Sequence, residues 1–354
     1  MYLVRYTILK ILFGFALIYF PGIIFSQDSA LIKRRFGVDT EYIKTFGTEM
    51  PVRFFFSQKY TAIELSGAKG IESVRYRPNT TLNIGIGATY KLLTLNLAYG
   101  FPFMNRDNQK GDTRYLDLQS HIYTRKLSID FNGQLYKGYF LFPKGFGNNN
   151  SDAYYLRPDL SAKLFGLTVY NMLNGRKFSY RAALLQSEWQ QKSSGTWLIG
   201  GEVYGGSVSG DSAIIPSQLK EQYAQRNVST IGFFELGPGV GYAYTIVIKK
   251  HFFIMGSATA TLDLGFSREF LQEDFRDQLS IRPNLLYRGV IGYSSRLWNL
   301  NFSWVGNRIA VRGESTPDLY YFSTGNLRLT LSRRFLPGPR LMKYLKFLDF
   351  KPRE

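Results

Sequence analysis

The sequence has 354 residues and a formal net charge of +18, with 44 Lys and Arg residues against 26 Asp and Glu residues. It contains no Cys, which excludes a disulfide framework, a lipid-modified amino-terminal Cys and Cys-ligated metal sites. The mean hydropathy of −0.16 is low for a bundle of membrane-spanning helices, whereas the 25 Tyr, 29 Phe and 34 Gly residues are typical of twisted strands and tight turns. We therefore expect one β-rich domain.

The amino terminus has the features of a secretory signal. Arg5 and Lys10 precede an apolar run at residues 11–25, and this run is short for a helix that crosses a bilayer. We predict a signal peptide at 1–26, with a retained anchor as the alternative. Its removal takes away two positive charges, and the remaining excess of positive charge would attract the phosphate-rich head groups of lipids unless it is dispersed over loops and lumen.

Apolar and polar side chains alternate along most of the remaining sequence. Near the carboxyl terminus, Leu327, Leu329 and Leu331 share one face of a predicted strand, while Arg328 and Thr330 share the other. The same period of two recurs in the pairs 82–90 with 93–100 and 116–122 with 127–134. Tight joints connect these pairs, and longer polar connections at 66–79, 102–113 and 142–153 separate them. This pattern predicts an all-β, transmembrane, antiparallel up-and-down β-barrel.

The number of strands depends on one irregular region. If every alternating stretch is a strand, the total is odd, whereas single-chain bacterial barrels have even numbers. The alternation of residues 178–190 loses its phase around Leu185, so we expect residues 185–195 to bend or fold inward. This predicts about twelve strands, with fourteen as the alternative.

The predicted organisation has four parts. A periplasmic lead-in at 27–50 follows the signal peptide, a barrel spans 51–335, and a basic tail occupies 336–354. The barrel ends at Phe335, a terminal aromatic residue of the type read by barrel-assembly machinery. In the tail, Leu341, Leu345 and Leu348 have roughly helical spacing, which favours either an amphipathic helix on the membrane surface or a frayed end.

Several phrases resemble an uncharacterised family of outer-membrane barrels of Bacteroidota, known as a domain of unknown function. They are RFGVDTEYI at 35–43, YRPN at 76–79, FSYRAA at 178–183, QSEWQ at 186–190 and GVGYAY at 239–244. The resemblance covers most of the mature chain. It implies an outer-membrane barrel and supplies no mechanism.

The sequence offers few groups for catalysis. A hydrolase would need a Ser positioned by a His, but Ser120 and His121 are adjacent on a strand and therefore face opposite sides. His251 lies at a predicted turn. We expect no catalytic, metal-binding or cofactor-binding site, and we predict a polar network in the lumen formed by Asp117, His121, Asp130, Arg288 and Arg328.

The phase-broken stretch carries the other candidate site. Charged and aromatic side chains there predict either a constriction that gates the lumen or a structural plug, and we favour the plug. The candidate residues are Arg181, Gln186, Glu188 and Trp189.

These patterns place the protein in the outer membrane of a Gram-negative bacterium. We expect a monomeric, non-enzymatic barrel that is a narrow channel or a membrane-embedded scaffold of an envelope complex, with a lipid-acting barrel enzyme as the alternative. The expected partners are outer-membrane lipid and lipopolysaccharide, the barrel-assembly machinery and an envelope protein. Nucleic acid is not expected, since no recognition motif is present.

Overall fold

The computed structural model describes residues 37–345 except 48, 92, 102, 105, 106, 272, 273 and 315–318. The predicted signal peptide at 1–26 lies outside the described residues, as do the lead-in up to residue 36 and the tail from 346 to 354, including Leu348.

The described part of the chain is built almost entirely from strands, as the alternation predicts. No helix within it is long and apolar enough to cross a bilayer. Its strands are β1 (Ile43–Thr45), β2 (Met50–Leu65), β3 (Val74–Arg77), β4 (Asn83–Tyr90), β5 (Leu93–Gly100), β6 (Arg114–Tyr123), β7 (Leu127–Phe142), β8 (Leu156–Met172), β9 (Glu188–Gln190), β10 (Ser194–Ser209), β11 (Thr230–Ile248), β12 (Phe252–Phe270), β13 (Phe275–Ser294), β14 (Trp298–Arg312) and β15 (Leu319–Phe335). The helices are α1 (Tyr180–Ala183) and α2 (Pro339–Leu345), with short 3-10 turns at Asn108–Lys110 and Ser217–Gln222.

Ten of these strands form a closed antiparallel ring. The order is β2, β15, β14, β13, β12, β11, β10, β8, β7 and β3, and the ring closes because β15 pairs with β2 from Phe335 opposite Met50 to Tyr320 opposite Leu65. Within this ring each strand therefore has a partner on both sides, as a sheet in lipid requires. The prediction of an all-β transmembrane barrel is therefore confirmed.

Three further strands, β4, β5 and β6, extend the wall beside the short β3, and no ladder joins β5 to β6 among the described residues. Both β3 and β4 run antiparallel to β2, so together they form one interrupted crossing from the long-loop end to the short-turn end. The predicted loop at 66–79 is thus wrong in part, because β3 lies inside it. With β3 and β4 counted as one and the short β1 and β9 left out, the chain passes twelve times between the two ends of the barrel.

The two ends of the barrel differ. The short connections from β4 to β5, β6 to β7, β11 to β12 and β13 to β14 define the short-turn end, where β2 begins and β15 finishes. Longer connections at 101–113, 143–155 and 210–229 define the long-loop end. At the short-turn end, α2 follows β15, and the hydroxyl of the buried Tyr90 donates a 3.9 Å hydrogen bond to the sulfur of Met342. Membrane contact by this helix stays a prediction.

The outer and inner faces of the wall have opposite character. Along β12, outward residues such as Leu262, Leu264 and Phe266 are exposed, while the inward Thr261 and Asp263 are buried. Apolar side chains pointing out and polar ones pointing in is the arrangement that a bilayer requires of a barrel.

Side chains fill the lumen at both ends. Near the long-loop end, the connection at 210–229 folds over the barrel, and Ile214, Ile215 and Tyr223 pack in one buried cluster with Tyr76, whose hydroxyl donates to the Ile214 carbonyl at 2.6 Å. Near the short-turn end, a second cluster includes Phe178, Tyr180 and Leu185 packed against Tyr170 and Met255 of the wall. The fold therefore encloses a packed interior, and the second cluster depends on a segment that leaves the wall.

Candidate functional site

The segment at 174–193, here called the inward segment, lies inside the short-turn end of the barrel. It leaves the wall after β8 and returns at β10, and between them it contains α1 and β9. Ser179 caps α1, since its hydroxyl accepts a hydrogen bond from the Ala182 amide at 3.1 Å. The alternation at 178–184 does not form a strand of the wall, and the inward fold predicted at 185–195 begins earlier than residue 185. Residues 178–190 of this segment are buried or half-buried throughout, so their side chains have no need of alternation.

A small sheet fixes the end of the inward segment. β9 pairs antiparallel with β1, with Glu188 opposite Thr45 and Gln190 opposite Ile43. Because β1 precedes the first wall strand, the lead-in and the inward segment together cover the lumen at the short-turn end.

Glu188 anchors the inward segment through its carboxylate. It is 2% exposed, it contacts the guanidinium groups of Arg125 and Arg181, and it accepts a 2.6 Å hydrogen bond from the Ser179 hydroxyl. Burial lowers the pKa of Arg181, and the neighbouring Glu188 charge acts in the opposite direction. A buried carboxylate held by two cations and a hydroxyl is costly to disturb, since removal of one partner strands the others.

The other two predicted constriction residues are also inside. The Gln186 side-chain amide donates to the Leu184 carbonyl at 2.9 Å, and the Gln186 carbonyl accepts from Arg334 at 3.0 Å. The Trp189 indole donates to the Lys250 carbonyl at 2.7 Å. The structure thus brings Arg181, Gln186, Glu188 and Trp189 into one inward segment, and these contacts fasten it to the wall. Gating by these residues stays a prediction.

Asp130 on β7 is the centre of a buried polar network. Its carboxylate contacts His121 Nδ1 at 2.6 Å and the guanidinium of Arg288, and it accepts hydrogen bonds from the hydroxyls of Tyr123 at 3.3 Å and Thr168 at 3.1 Å. The Arg288 guanidinium also lies over the ring of Tyr180, 5.1 Å from its centroid. The network therefore joins the wall to α1 and contributes to the packing of the interior.

Asp117 and Arg328 lie outside this network. Asp117 pairs with Lys59 at 3.2 Å and accepts a 2.7 Å hydrogen bond from the Tyr136 hydroxyl. Arg328 lies over the ring of Phe55 at 4.4 Å. Of the five residues predicted to form one lumen network, the structure brings together only His121, Asp130 and Arg288.

The two His residues have structural partners. His121 contacts Asp130, while Ser120 faces outward and is exposed. His251 Nδ1 lies 2.9 Å from the Ser294 carbonyl oxygen. In the register of β6 with β7, Asp117 lies opposite Gln134 and Asp130 lies opposite His121. The two carboxylates therefore do not lie opposite each other. Within the described residues, no group of three or more His, Asp or Glu side chains is arranged to hold a metal ion.

Sequence reasoning left two inward Arg residues out of the candidate sites. Arg53 on β2 is 2% exposed and donates to the Leu185 carbonyl at 3.0 Å, and Arg334 on β15 donates to the Ser295 carbonyl at 2.6 Å. Their positions on the polar face of strands were the available signal. The contacts to Leu185 and Gln186 could not be inferred, because the fold of the inward segment was not visible in the pattern.

Comparisons with known proteins give the following findings. The family model described as "Domain of unknown function (DUF4421)" matches residues 37–335. No curated protein matches the chain.

The solved structures that are similar to it include the following three. They are the outer membrane protease OmpT from Escherichia coli (10% identity, 84% of this chain and 100% of that chain, TM-score 0.38), outer-membrane expressed OmpT of Vibrio cholerae (9% identity, 83% and 100%, TM-score 0.28) and the Pseudomonas putida toluene transporter TodX (8% identity, 82% and 90%, TM-score 0.21).

Proposed function

The chain belongs to the family described as "Domain of unknown function (DUF4421)", and we propose that this member is an outer-membrane β-barrel that serves as a membrane-embedded scaffold of an envelope complex. The observation that carries the proposal is the filled lumen. The inward segment occupies the short-turn end, and the connection at 210–229 packs into the long-loop end. A barrel packed in this way has surfaces to offer to partners, and its described residues obstruct both ends of the axial path that a solute would take.

The charge distribution supports a partner at the short-turn end. Exposed cations are numerous there, and the acidic residues Glu41 and Glu49 at this end pair with Lys192 and Arg296. We call this surface the basic end; its exposed cations are Lys44, Lys126, Arg176, Lys192, Lys249, Lys250, Arg296, Arg333, Arg340 and Lys343. An acidic surface of another envelope protein is complementary to it. Short turns of outer-membrane barrels face the periplasm, and we propose that the basic end lies on that side.

A narrow channel is the second candidate. It is favoured by a cavity of about 350 Å³ in the half of the barrel nearer the short-turn end, lined in part by Arg53 and Arg328. A lipid-acting enzyme is less well supported, because Ser120 and His121 face opposite sides of β6 and His121 is engaged by Asp130. We therefore propose a non-enzymatic role.

Affinity isolation from native membranes tests the scaffold proposal. The basic-end variant carries Arg176→Gln, Lys249→Asn, Lys250→Asn and Lys343→Gln; Asn suits the left-handed backbone of Lys249 and Lys250, whose φ angles are 49° and 63°. We expect the wild-type protein to recover one acidic envelope protein in roughly equimolar amount. Recovery should fall about tenfold in the variant, because exposed charge pairs each contribute about 0.2–1 kcal/mol.

The control variant removes the same net charge from the long-loop end through Lys69→Gln, Lys137→Gln, Lys144→Gln and Arg226→Gln, and it should recover the partner as the wild type does. Equal recovery by both variants, or no partner in comparable amount, would argue against a scaffold that uses the basic end.

A further inference from the structure

The barrel wall has an unpaired seam between β5 and β6. β5 pairs with β4, and β6 pairs with β7, but no ladder joins β5 to β6 among the described residues. Both faces of β5 are accessible, since the inward Asn96 and Ala98 are exposed as well as the outward Leu95 and Leu97. The wall is therefore interrupted in the half nearer the short-turn end. Nearer the long-loop end, β3 bridges β2 and β7.

The cavity of about 350 Å³ lies at this seam and reaches through the wall. Its lining includes the inward residues Asn96 and His121, and also the outward residues Leu93, Leu95 and Ile122. Residues of both faces can line one cavity only where the sheet is open. The lumen is thus accessible from the side, from the position that lipid occupies around a barrel.

Two cations without a carboxylate partner line the inner part of the cavity. Arg53 is buried and its guanidinium contacts neutral acceptors, the Thr89 hydroxyl, the Leu185 carbonyl and Asn96 Oδ1. Arg328 stacks on Phe55, and the Nε atoms of both Arg residues are buried without a hydrogen-bond partner. Within the described residues, neither guanidinium forms an ion pair. Buried cations ordinarily have an anionic partner, since desolvation of an unpaired charge is costly.

The neighbouring charges do not supply that anion. Asp130 is the nearest acidic side chain in the network beside the cavity, and Arg288 and His121 already occupy its carboxylate. Glu188 is held by Arg125 and Arg181. The cavity therefore keeps an excess of positive charge next to an apolar opening.

The seam reaches the short-turn edge of the wall. Leu93 is the first residue of β5, and Ile122 lies near the end of β6 before the turn at 124–126. Both belong to the short-turn edge of the wall, where head groups meet the acyl region, while Leu95, Leu97 and Leu118 continue the apolar surface toward the membrane interior.

We infer that the seam binds an acidic amphiphile, whose anionic head group contacts Arg53 and Arg328 and whose acyl chain lies between β5 and β6. The site combines the chemistry that such a molecule needs: donors for a phosphate or carboxylate inside the wall and leucines outside it. The inference does not depend on the scaffold proposal, because the seam and the basic end share none of these residues.

A strand from another protein is the competing occupant, since edge strands accept added strands. The two Arg side chains favour the amphiphile, because a strand that paired with β5 and β6 would complete the wall and leave both guanidinium groups without an anion.

Lipid titration of the purified full-length protein in neutral detergent micelles tests the inference. Phosphatidylglycerol and phosphatidylcholine with the same acyl chains are added, and bound lipid is counted by native mass spectrometry. We expect phosphatidylglycerol to bind at least about tenfold more tightly, and Arg53→Gln with Arg328→Gln to abolish the preference. Arg328→Lys keeps the positive charge and should retain most of the preference for phosphatidylglycerol.

Two controls separate the contributions of the head group and the chain. Arg268→Gln changes an exposed cation at the long-loop end and should bind as the wild type does. Leu95→Asn with Ile122→Asn leaves both Arg side chains in place and should weaken phosphatidylglycerol binding about tenfold. Resistance of each variant to unfolding in cold dodecyl sulfate shows that its barrel has formed.

Three results would overturn the inference. Equal binding of the two lipids would remove the anionic head group from the argument. Inorganic phosphate that binds as tightly as phosphatidylglycerol would show that the contact of the acyl chain with the seam contributes nothing to the affinity. A polypeptide that copurifies in equimolar amount and protects the β5 amides from hydrogen exchange, with no lipid preference, would assign the seam to an added strand.

Discussion

Glu188→Ala should release the inward segment and lower the free energy of unfolding by about 3–5 kcal/mol, because it leaves the partly buried Arg125 and Arg181 without their carboxylate and Ser179 without its acceptor. Trypsin should then cut after Arg176, Lys177 or Arg181 in protein that is otherwise folded. Limited proteolysis in lipid vesicles, followed by mass spectrometry of the fragments, measures the release.

The same substitution separates a plug from a gate. If the lumen is packed along its length, Glu188→Ala should stay silent in planar bilayers, since the connection at 210–229 still fills the long-loop end. Glu41→Ala removes an exposed carboxylate that pairs with Lys192 and should match the wild type in both assays. Discrete conductance steps in Glu188→Ala would instead identify the inward segment as a gate.

Asp130→Ala should destabilise the barrel by a similar amount, about 3–5 kcal/mol, because Arg288 is buried and loses its only ionic partner in the described network. Urea unfolding in lipid vesicles measures the loss. Asp277→Asn breaks an exposed pair with Arg268 and should leave the unfolding midpoint unchanged.

A double substitution distinguishes lost pairing from lost packing. Asp130→Leu combined with Arg288→Met replaces the buried pair with apolar groups and should recover most of the stability, since a buried ion pair is often no better than a packed apolar contact. Failure of the double variant to recover would show that the network acts mainly through His121, Tyr123 and Thr168 and would weaken the ion-pair account.

Alternation predicted most of the wall for a physical reason. A strand with lipid on one side and the interior on the other must separate apolar from polar side chains, and β12 or β15 can be read directly from that rule. The triple Phe54-Phe55-Phe56 in β2 blurred the pattern, because Phe55 points inward to stack with Arg328 while its neighbours face outward. An aromatic ring under a cation is compatible with the inner face, and the period of two does not anticipate it.

The inward segment shows where such reasoning stops. Phe178, Tyr180 and Ala182 have strand-like spacing, yet they begin a capped helical turn, because Ser179 supplies the cap and these three side chains are all buried. The seam was equally hidden. Apolar and polar side chains alternate well in both β5 and β6. Whether the two strands pair depends on how β3 bridges β2 and β7 nearer the long-loop end, which is a tertiary contact.

The central claim is that a lipid-facing exterior surrounds a filled interior, and thiol labelling in vesicles tests it most directly. Because the natural chain has no Cys, Leu262→Cys, Thr261→Cys and Ser212→Cys each introduce a sole thiol on the outer face of β12, its inner face and the long-loop end. We predict that a membrane-soluble maleimide labels Leu262→Cys, that a charged maleimide labels only Ser212→Cys, and that Thr261→Cys resists both. Rapid labelling of Thr261→Cys by the charged reagent would reveal a water-filled lumen, and equal labelling of Leu262→Cys by that reagent would show that β12 does not face lipid; either result would contradict the account.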